Sequence, residues 1–254
     1  MSNLQRSPFA YKIKRAIQRP HLILPKLERT VRNALIKFNH PDHIGFYREV
    51  MARQTQLSPD LAIGSGNREH WLDIGKFQFD YLLRHGLQPS HKVLEIGCGN
   101  LRAGWRIIAH LQPGNYVGVD ISPHILVAAQ KTVAEFRLQD KVPYLVLVAE
   151  MRFDFLPDCY FDVIHAHSVF THCSSDIIER CLANVGRIMK PNGFFDFTFF
   201  PSDKRADGAY HVTSEDFYYP TTEMLALVRH HGFEANQMDD WDYSQTKIRV
   251  TKPS

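Results

Sequence analysis

The most constraining feature of this 254-residue sequence is a short apolar run that leads directly into a glycine-rich turn. Residues 93–100 are Val-Leu-Glu-Ile-Gly-Cys-Gly-Asn. The first four predict a buried strand, and the apolar positions from Leu101 to Leu111 predict a helix directly after the turn. Open parallel sheets bind ligands beyond the carboxyl ends of their strands, where glycines let the backbone approach a ligand closely. The pattern therefore predicts a ligand site at residues 97–100.

Short apolar runs alternate with amphipathic helices over the rest of the chain, which is typical of βαβ units and a parallel sheet. Ser122 followed by Pro123 is a favoured helix start. The last two runs are joined by a short polar connection with no room for a crossover helix, so we expect them to pair antiparallel. The fold class is therefore α/β. The predicted strands are residues 93–96, 116–119, 144–148, 161–165, 194–200, 234–238 and 247–251.

An acidic residue after the second predicted strand completes a nucleoside-binding pattern. Asp120 follows Gly99 by 21 positions, where a carboxylate can accept both hydroxyls of an adenosine ribose. The turn and Asp120 together fit either a dinucleotide or S-adenosylmethionine. Arg102 stands where the dinucleotide pattern needs a third glycine or alanine. Glu95, beside the turn, favours a ligand with an ammonium and a sulfonium over a pyrophosphate, so we expect S-adenosylmethionine.

These motifs resemble those of the class I S-adenosylmethionine-dependent methyltransferases over residues 90–254. The resemblance implies a Rossmann-like, mostly parallel sheet of seven strands with the last antiparallel, and helices on both faces. The Glu150-Met151 pair departs from the commoner Asp-Ala. The resemblance rests on Glu95, Gly97 and Gly99 in an acid-x-Gly-x-Gly turn, Asp120 with Ile121, Glu150 with Met151, residues 161–164 and 168–172 around strand four, and Lys190-Pro191-Asn192-Gly193.

The same resemblance implies a set of cofactor-binding residues and one candidate base. His172, in the loop after strand four, lies where a base would remove a proton from an acceptor hydroxyl. The alternative is that His172 only lies beside the cap of the next helix. Cys98 is expected to fill the glycine turn rather than to act as a nucleophile. His165 and His167 face the same way on a strand, but they lack further ligands at suitable spacing, so we predict no metal site. The cofactor-binding set is Glu95, Gly97, Cys98, Gly99, Asp120, Ile121, Glu150, Met151, His167 and Ser168.

The expected reaction is methyl transfer (EC 2.1.1.-) to a small-molecule or a lipid- or sugar-linked acceptor, with oxygen as the favoured acceptor atom. Residues 201–219, rich in aromatic side chains, are either a lid over the acceptor or a plain surface loop. Two other classes remain open. One is a nicotinamide-dependent oxidoreductase, against which Arg102 and Glu95 argue. The other is a non-catalytic module that keeps the fold and binds a membrane or a partner.

Charge divides the chain into two parts. Residues 1–40 hold nine of the 30 Lys and Arg and one of the 27 Asp and Glu, which leaves 21 basic and 26 acidic residues elsewhere. An apolar stripe at helical spacing accompanies this charge. We expect the stripe to pack on the catalytic domain or on a second subunit, or to lie on a membrane surface. Binding of nucleic acid is disfavoured, because aromatic side chains that could stack on bases are sparse in this segment. We expect a basic helical extension over residues 1–69 and a catalytic domain over residues 70–254. The stripe consists of Leu27, Val31, Ala34, Leu35 and Phe38.

Cysteine usage and hydropathy indicate a cytoplasmic location. The four cysteines form no CxxC pair, which is typical of reduced thiols. No apolar run approaches the roughly 18 residues of a spanning helix, and the N-terminus lacks the apolar core of a signal peptide. Peripheral contact with the inner face of a membrane remains compatible with this location.

Overall fold

The computed structural model describes residues 20–40, 42–203 and 216–253. Within these ranges an eight-stranded sheet forms the centre of the protein. The strands are β1 (Val93–Ile96), β2 (Tyr116–Asp120), β3 (Tyr144–Leu147), β4 (Phe161–Ala166), β5 (Met189–Pro201), β6 (Tyr218–Tyr219), β7 (Glu234–Gln237) and β8 (Thr246–Thr251).

The strand order is β3-β2-β1-β4-β5-β8-β7. Strands β1 to β5 pair parallel, and β8 pairs antiparallel with both β5 and β7. This confirms the predicted mostly parallel sheet with an antiparallel last strand. The one addition is β6, whose Tyr218 pairs with Phe200 at the end of β5. Because a two-residue strand has no periodicity, its sequence could not distinguish it from the predicted loop.

Helices cover both faces of the sheet, as predicted. Against one face, α4, α5 and α6 bury their apolar side chains, and α7 and α8 bury theirs against the other. Ser122 caps α6, and Pro123 holds its first position, as the sequence indicated. The helices are α1 (Pro20–Asn39), α2 (His43–Leu57), α3 (Pro59–Ala62), α4 (Arg68–Arg84), α5 (Gly104–His110), α6 (Pro123–Glu135), α7 (Ser175–Ile188) and α8 (Thr221–His230).

Helix α2 lies inside the predicted helical extension, at residues whose sequence pattern predicts no individual helix. The Asp42 side chain begins it by accepting a backbone N–H of the first turn. Phe46 and Val50 are buried against Ile36 of α1, and Met51 packs against α6. Buried apolar side chains on two sides therefore fix α2 between α1 and α6.

The apolar stripe of the N-terminal arm does not face the protein. Val31, Leu35 and Phe38 are 53%, 63% and 88% exposed, whereas Asn33 and Ile36, on the opposite side of α1, are buried. The expectation that the stripe packs on the catalytic domain is therefore wrong. The helix does dock, but Ile36 supplies the apolar contact, so the stripe remains on the surface.

Other predictions fall partly or wholly outside the described residues. Most of the aromatic stretch, residues 204–215, and the side chain of Leu27 belong to this group. The division of the chain at residue 69 stays a prediction. None of the helices in the described ranges is both long and apolar enough to cross a lipid bilayer.

Candidate functional site

A cavity of about 660 Å³ lies beyond the carboxyl ends of β1, β2, β3 and β4. Its size is that of a pocket for a small organic ligand. Side chains of α1, α2 and α3 close it from the N-terminal side. All eleven residues that the sequence predicted as site residues line it: Glu95, Gly97, Cys98, Gly99, Asp120, Ile121, Glu150, Met151, His167, Ser168 and His172.

The glycine turn after β1 requires glycine at two positions. Gly97 and Gly99 have φ angles of 67° and 53°, a region that residues with a Cβ rarely adopt. A Cβ at Gly97 would lie 2.4 Å from Cγ2 of Val169, and one at Gly99 would lie 2.9 Å from Cγ2 of Ile63. Both conformation and space therefore exclude side chains, and the turn backbone is left facing the cavity.

Asp120 is held at the end of β2 by the turn itself. Its Oδ2 accepts from the backbone N of Gly99 at 3.0 Å, and its Oδ1 accepts from the backbone N of Ser122 at 2.9 Å. Burial raises the pKa of the carboxyl to about 6. Since a carboxylate can accept about four hydrogen bonds, both oxygens retain capacity for ligand hydroxyls.

Glu95 places a second buried carboxylate in the cavity. It accepts a hydrogen bond from the Tyr116 hydroxyl. Burial raises its pKa to about 7, although the positive charge of Arg102 acts in the opposite direction. The pair depends on Gly104, because a Cβ there would lie 2.8 Å from Oε2 of Glu95. Two carboxylates that are costly to ionise in the ligand-free protein would be stabilised by a cationic ligand.

Three further buried polar side chains, Gln78, Arg102 and His167, line the same cavity. Arg102 donates through Nη1 to the Ile63 carbonyl at 2.9 Å. Within the described residues, Nε of Arg102, Nε2 of Gln78 and both ring nitrogens of His167 have no hydrogen-bond partner. Such orphaned donors and acceptors indicate a place for polar ligand groups. From its sequence position, Arg102 predicts only that a dinucleotide is disfavoured, and not a contact with the ligand.

Glu150 and Met151 line the cavity beyond the end of β3. Met151 is buried, whereas Glu150 is partly exposed and lies 3.3 Å from Nη1 of Arg180.

Arg48 of α2 donates to the Ile121 carbonyl and to the Val148 carbonyl, both at 2.9 Å. These two bonds hold α2 across the ends of β2 and β3. Sequence reasoning missed Arg48; the signals that could have found α2 are the Asp42 cap and the Ser58-Pro59 start of α3.

His172 lies on the β4 side of the cavity, in a short 3₁₀ turn. Its Nδ1 is 3.3 Å from Oδ1 of Asp216, and its ring stacks on Tyr47 of α2 at 5.2 Å between centroids. Nε2 of His43 lies 2.6 Å from the His172 carbonyl. A carboxylate on one ring nitrogen and an aromatic ring on its face fix the orientation of an imidazole, as a positioned base requires.

Two further predicted residues have structural contacts that explain their positions. Cys98 is buried, and burial raises the pKa of its thiol well above the ordinary value, which suits a filler of the turn rather than a nucleophile. Ser168 has a φ of 58°. Its Oγ accepts from Nε2 of Gln245 at 2.6 Å, and its backbone N donates to Oγ1 of Thr198 at 2.8 Å.

A layer of buried polar groups continues from the cavity between the sheet and α4. His165 lies beside Glu95 and Asp196 in the sheet register. Lys247 is buried, and its Nζ lies 4.0 Å from the centroid of Trp241 and 4.5 Å from that of Tyr81. Burial lowers the pKa of Lys247 to about 8. Among the described residues, Nζ of Lys247 and both ring nitrogens of His165 find no hydrogen-bond partner.

Comparison with known proteins agrees with this geometry. A family model described as a methyltransferase domain matches residues 94–195. "Probable thiol methyltransferase 2" of Arabidopsis thaliana is 26% identical over 161 residues, covering 63% of this chain and 66% of that protein. A sterol 24-C-methyltransferase of Yarrowia lipolytica is 31% identical over 110 residues, covering 43% of this chain and 28% of that protein. The matches thus span less than two thirds of these relatives.

Solved structures share the fold. Magnesium protoporphyrin IX methyltransferase from Synechocystis, solved with bound S-adenosylmethionine, superposes with a TM-score of 0.61 at 14% identity. The match covers 84% of this chain and 98% of that chain. The family model spans the strands and turns that build the cavity. Residues 94–195 therefore match a methyltransferase domain, and the chain has the fold of a solved S-adenosylmethionine-bound methyltransferase.

Proposed function

We propose that this protein transfers a methyl group from S-adenosylmethionine to an oxygen of a small-molecule or a lipid- or sugar-linked acceptor. The observation that carries the proposal is the pair of buried carboxylates, Glu95 and Asp120, that face one cavity from the ends of neighbouring strands. Burial raises the pKa of both, even with Arg102 near Glu95. A ligand with ribose hydroxyls and two positive groups offsets that cost.

The residues around the cavity divide between the parts of such a cofactor. Asp120 would accept the ribose hydroxyls, with the turn at Gly97–Gly99 close to the nucleoside. Arg102 and Gln78 would hold the carboxylate of the methionine part, and Glu95 its ammonium. When bound, S-adenosylmethionine supplies a methyl group on a positively charged sulfur that is open to in-line attack. The task of the protein is then to orient the acceptor and remove its proton.

A nicotinamide cofactor fits the same cavity less well. The Arg102 side chain fills the place of the third glycine and is held there by the Ile63 carbonyl. Glu95 is buried beside the turn, where its negative charge would repel a pyrophosphate. These two contacts support the methyltransferase proposal over the oxidoreductase alternative.

The acceptor would lie between His172 and the apolar side chains of α2. The cavity wall there combines Tyr47, Ile44 and Val169 with the polar pair of His172 and Asp216. In the proposed reaction His172 removes the proton of an acceptor hydroxyl, and Asp216 keeps the proton of its other ring nitrogen in place. The relatives carry names of thiol, sterol and porphyrin methyltransferases, which supports a small or lipid-like acceptor.

Calorimetry tests the cofactor part of the proposal. The protein should bind S-adenosylmethionine and S-adenosylhomocysteine but not NAD. Asp120→Asn should weaken that binding roughly ten- to a hundredfold, because a charge-assisted hydrogen bond contributes about 1.5–3 kcal/mol. Asp140→Asn, at an exposed position away from the cavity, is the control. Equal affinity in both variants, or tight binding of NAD, would refute the proposal.

Measurement of kcat tests the part of the proposal that concerns the acceptor and its base. With an acceptor found by screening hydroxylated small molecules and lipids, His172→Gln should lower kcat about 10²- to 10⁴-fold without changing cofactor affinity. Asp216→Asn should cause a smaller loss and shift the pH profile of kcat. If His172→Gln turns over at the wild-type rate, His172 is not the base and only borders the cavity.

A further inference from the structure

Helix α1 exposes an apolar stripe that no other described element covers. Val31, Ala34, Leu35 and Phe38 are all exposed. At 100° per residue they fall within one arc of about 100°, opposite the buried Ile36. A soluble helix normally turns such an arc toward the core. Here the core side is already filled, so the arc is available to another surface.

The charge around this stripe is basic. Within α1 itself the sequence has four Lys or Arg and one Glu, and residues 1–40 have nine against one. The remainder of the chain is mildly acidic, with 21 basic and 26 acidic residues. An exposed apolar arc in a segment with a strong excess of positive charge is typical of helices that lie in the interface of an anionic membrane.

We infer that α1 docks the protein onto an anionic lipid surface, with Leu35 and Phe38 inserted among the acyl chains and the basic side chains beside the head groups. A second copy of the chain is a poorer occupant. A symmetric contact through α1 would bring two strongly basic arms together, and like charges repel at such distances. An anionic lipid surface instead offers acyl chains to the apolar arc and negatively charged head groups to the basic side chains.

The position of α1 connects this surface to the cavity. Arg32, one residue after Val31, lines the cavity together with Leu57 and Leu61, both of which are exposed. The side of the cavity formed by α1 and α3 therefore borders the proposed lipid-facing arc. This inference does not depend on methyl transfer, because vesicle binding is measured without cofactor or acceptor.

The test is cosedimentation of the full chain with vesicles of phosphatidylcholine alone or with added phosphatidylglycerol. The wild type should bind the anionic vesicles, and salt should weaken the binding. The double variant Leu35→Asp/Phe38→Asp should bind about 100-fold more weakly, because it loses two inserted side chains and adds two negative charges. Phe38→Trp should show a blue shift of its emission, and quenching by brominated lipid, with these vesicles.

The matched control is Val142→Asp/Tyr144→Asp. These two residues are also exposed, at 65% and 59%, but Tyr144 begins edge strand β3 and Val142 lies two residues before it, away from α1. The control should bind vesicles like the wild type, and thermal unfolding should be unchanged in both double variants. Equal binding of all three proteins, no binding by the wild type, or equal binding to neutral vesicles would overturn the inference. So would a change of oligomeric state in Leu35→Asp/Phe38→Asp, because a second copy would then cover the stripe.

Discussion

Replacing Lys247 by methionine should stabilise the protein at neutral pH. The Lys247 ammonium is buried between the sheet and α4, against the rings of Trp241 and Tyr81. Burial lowers its pKa from the ordinary 10.5 to about 8. One pKa unit corresponds to about 1.4 kcal/mol, so holding this charge in the folded state costs about 3 kcal/mol. Methionine has a similar length and no charge, so Lys247→Met removes that cost.

The sign of the pH dependence makes this prediction specific. Because the folded-state pKa lies below the unfolded one, the unfolded chain binds more protons between pH 8 and 10.5. Wild-type stability should therefore rise over this range relative to the variant. The full difference of about 3 kcal/mol should be present below pH 8 and should disappear as the pH approaches 10.5.

Urea unfolding at several pH values measures the difference. The midpoint should rise in Lys247→Met at pH 7 with an unchanged m-value, and the gap should close at high pH. Lys131→Met, at an exposed position of α6, is the control and should change little. If Lys247→Met is less stable than the wild type at pH 7, or if the gap is independent of pH, the buried ammonium is not a source of instability.

Three further predictions concern the cavity. Affinity for S-adenosylmethionine should fall roughly tenfold or more as the pH drops through 7 and then 6, because Glu95 and Asp120 become protonated there; calorimetry giving a flat profile would contradict this. Gly104→Ala should destabilise the protein by about 1–3 kcal/mol, since its Cβ would displace the Glu95 carboxylate. Gly66→Ala, which has open space, serves as its control in thermal unfolding. Arg48→Met should lower cofactor affinity about tenfold by removing two bonds to backbone carbonyls, and unaltered calorimetry would disprove that role.

The sheet and the cofactor side of the cavity could be predicted because their signals are local. A strand, a glycine turn and a carboxylate at the end of the next strand each occupy a few consecutive residues. Parallel strands bring their carboxyl ends together, so Gly97, Gly99 and Asp120 meet by topology alone. The backbone of the turn has φ above 50° at both glycines. Because glycine adopts such φ angles readily, the two glycines of the motif predict this turn conformation.

The contacts made by the N-terminal helices could not be predicted in this way. Arg48 bonds to carbonyls 73 and 100 residues away, and no periodicity in the sequence encodes such pairs. The predicted orientation of α1 was wrong for a different reason. The usual rule turns the larger apolar arc inward, but here the opposite side of α1 is buried, where Ile36 packs with Phe46 and Val50. Asp216 was likewise missed as a partner of His172, because their pairing depends on tertiary structure.

Helix α2 contributes to both ends of the cavity, so it connects the proposed cofactor site with the proposed acceptor site. Arg48 fixes it to the ends of β2 and β3, and Tyr47, one residue earlier, stacks on His172. A ligand that tightens the backbone around Ile121 also restricts the helix that carries Tyr47. The second ligand then loses less conformational entropy when it binds, which is positive cooperativity without a change of shape. We expect a reciprocal linkage, in which cofactor raises the affinity for acceptor and acceptor raises the affinity for cofactor by the same free energy.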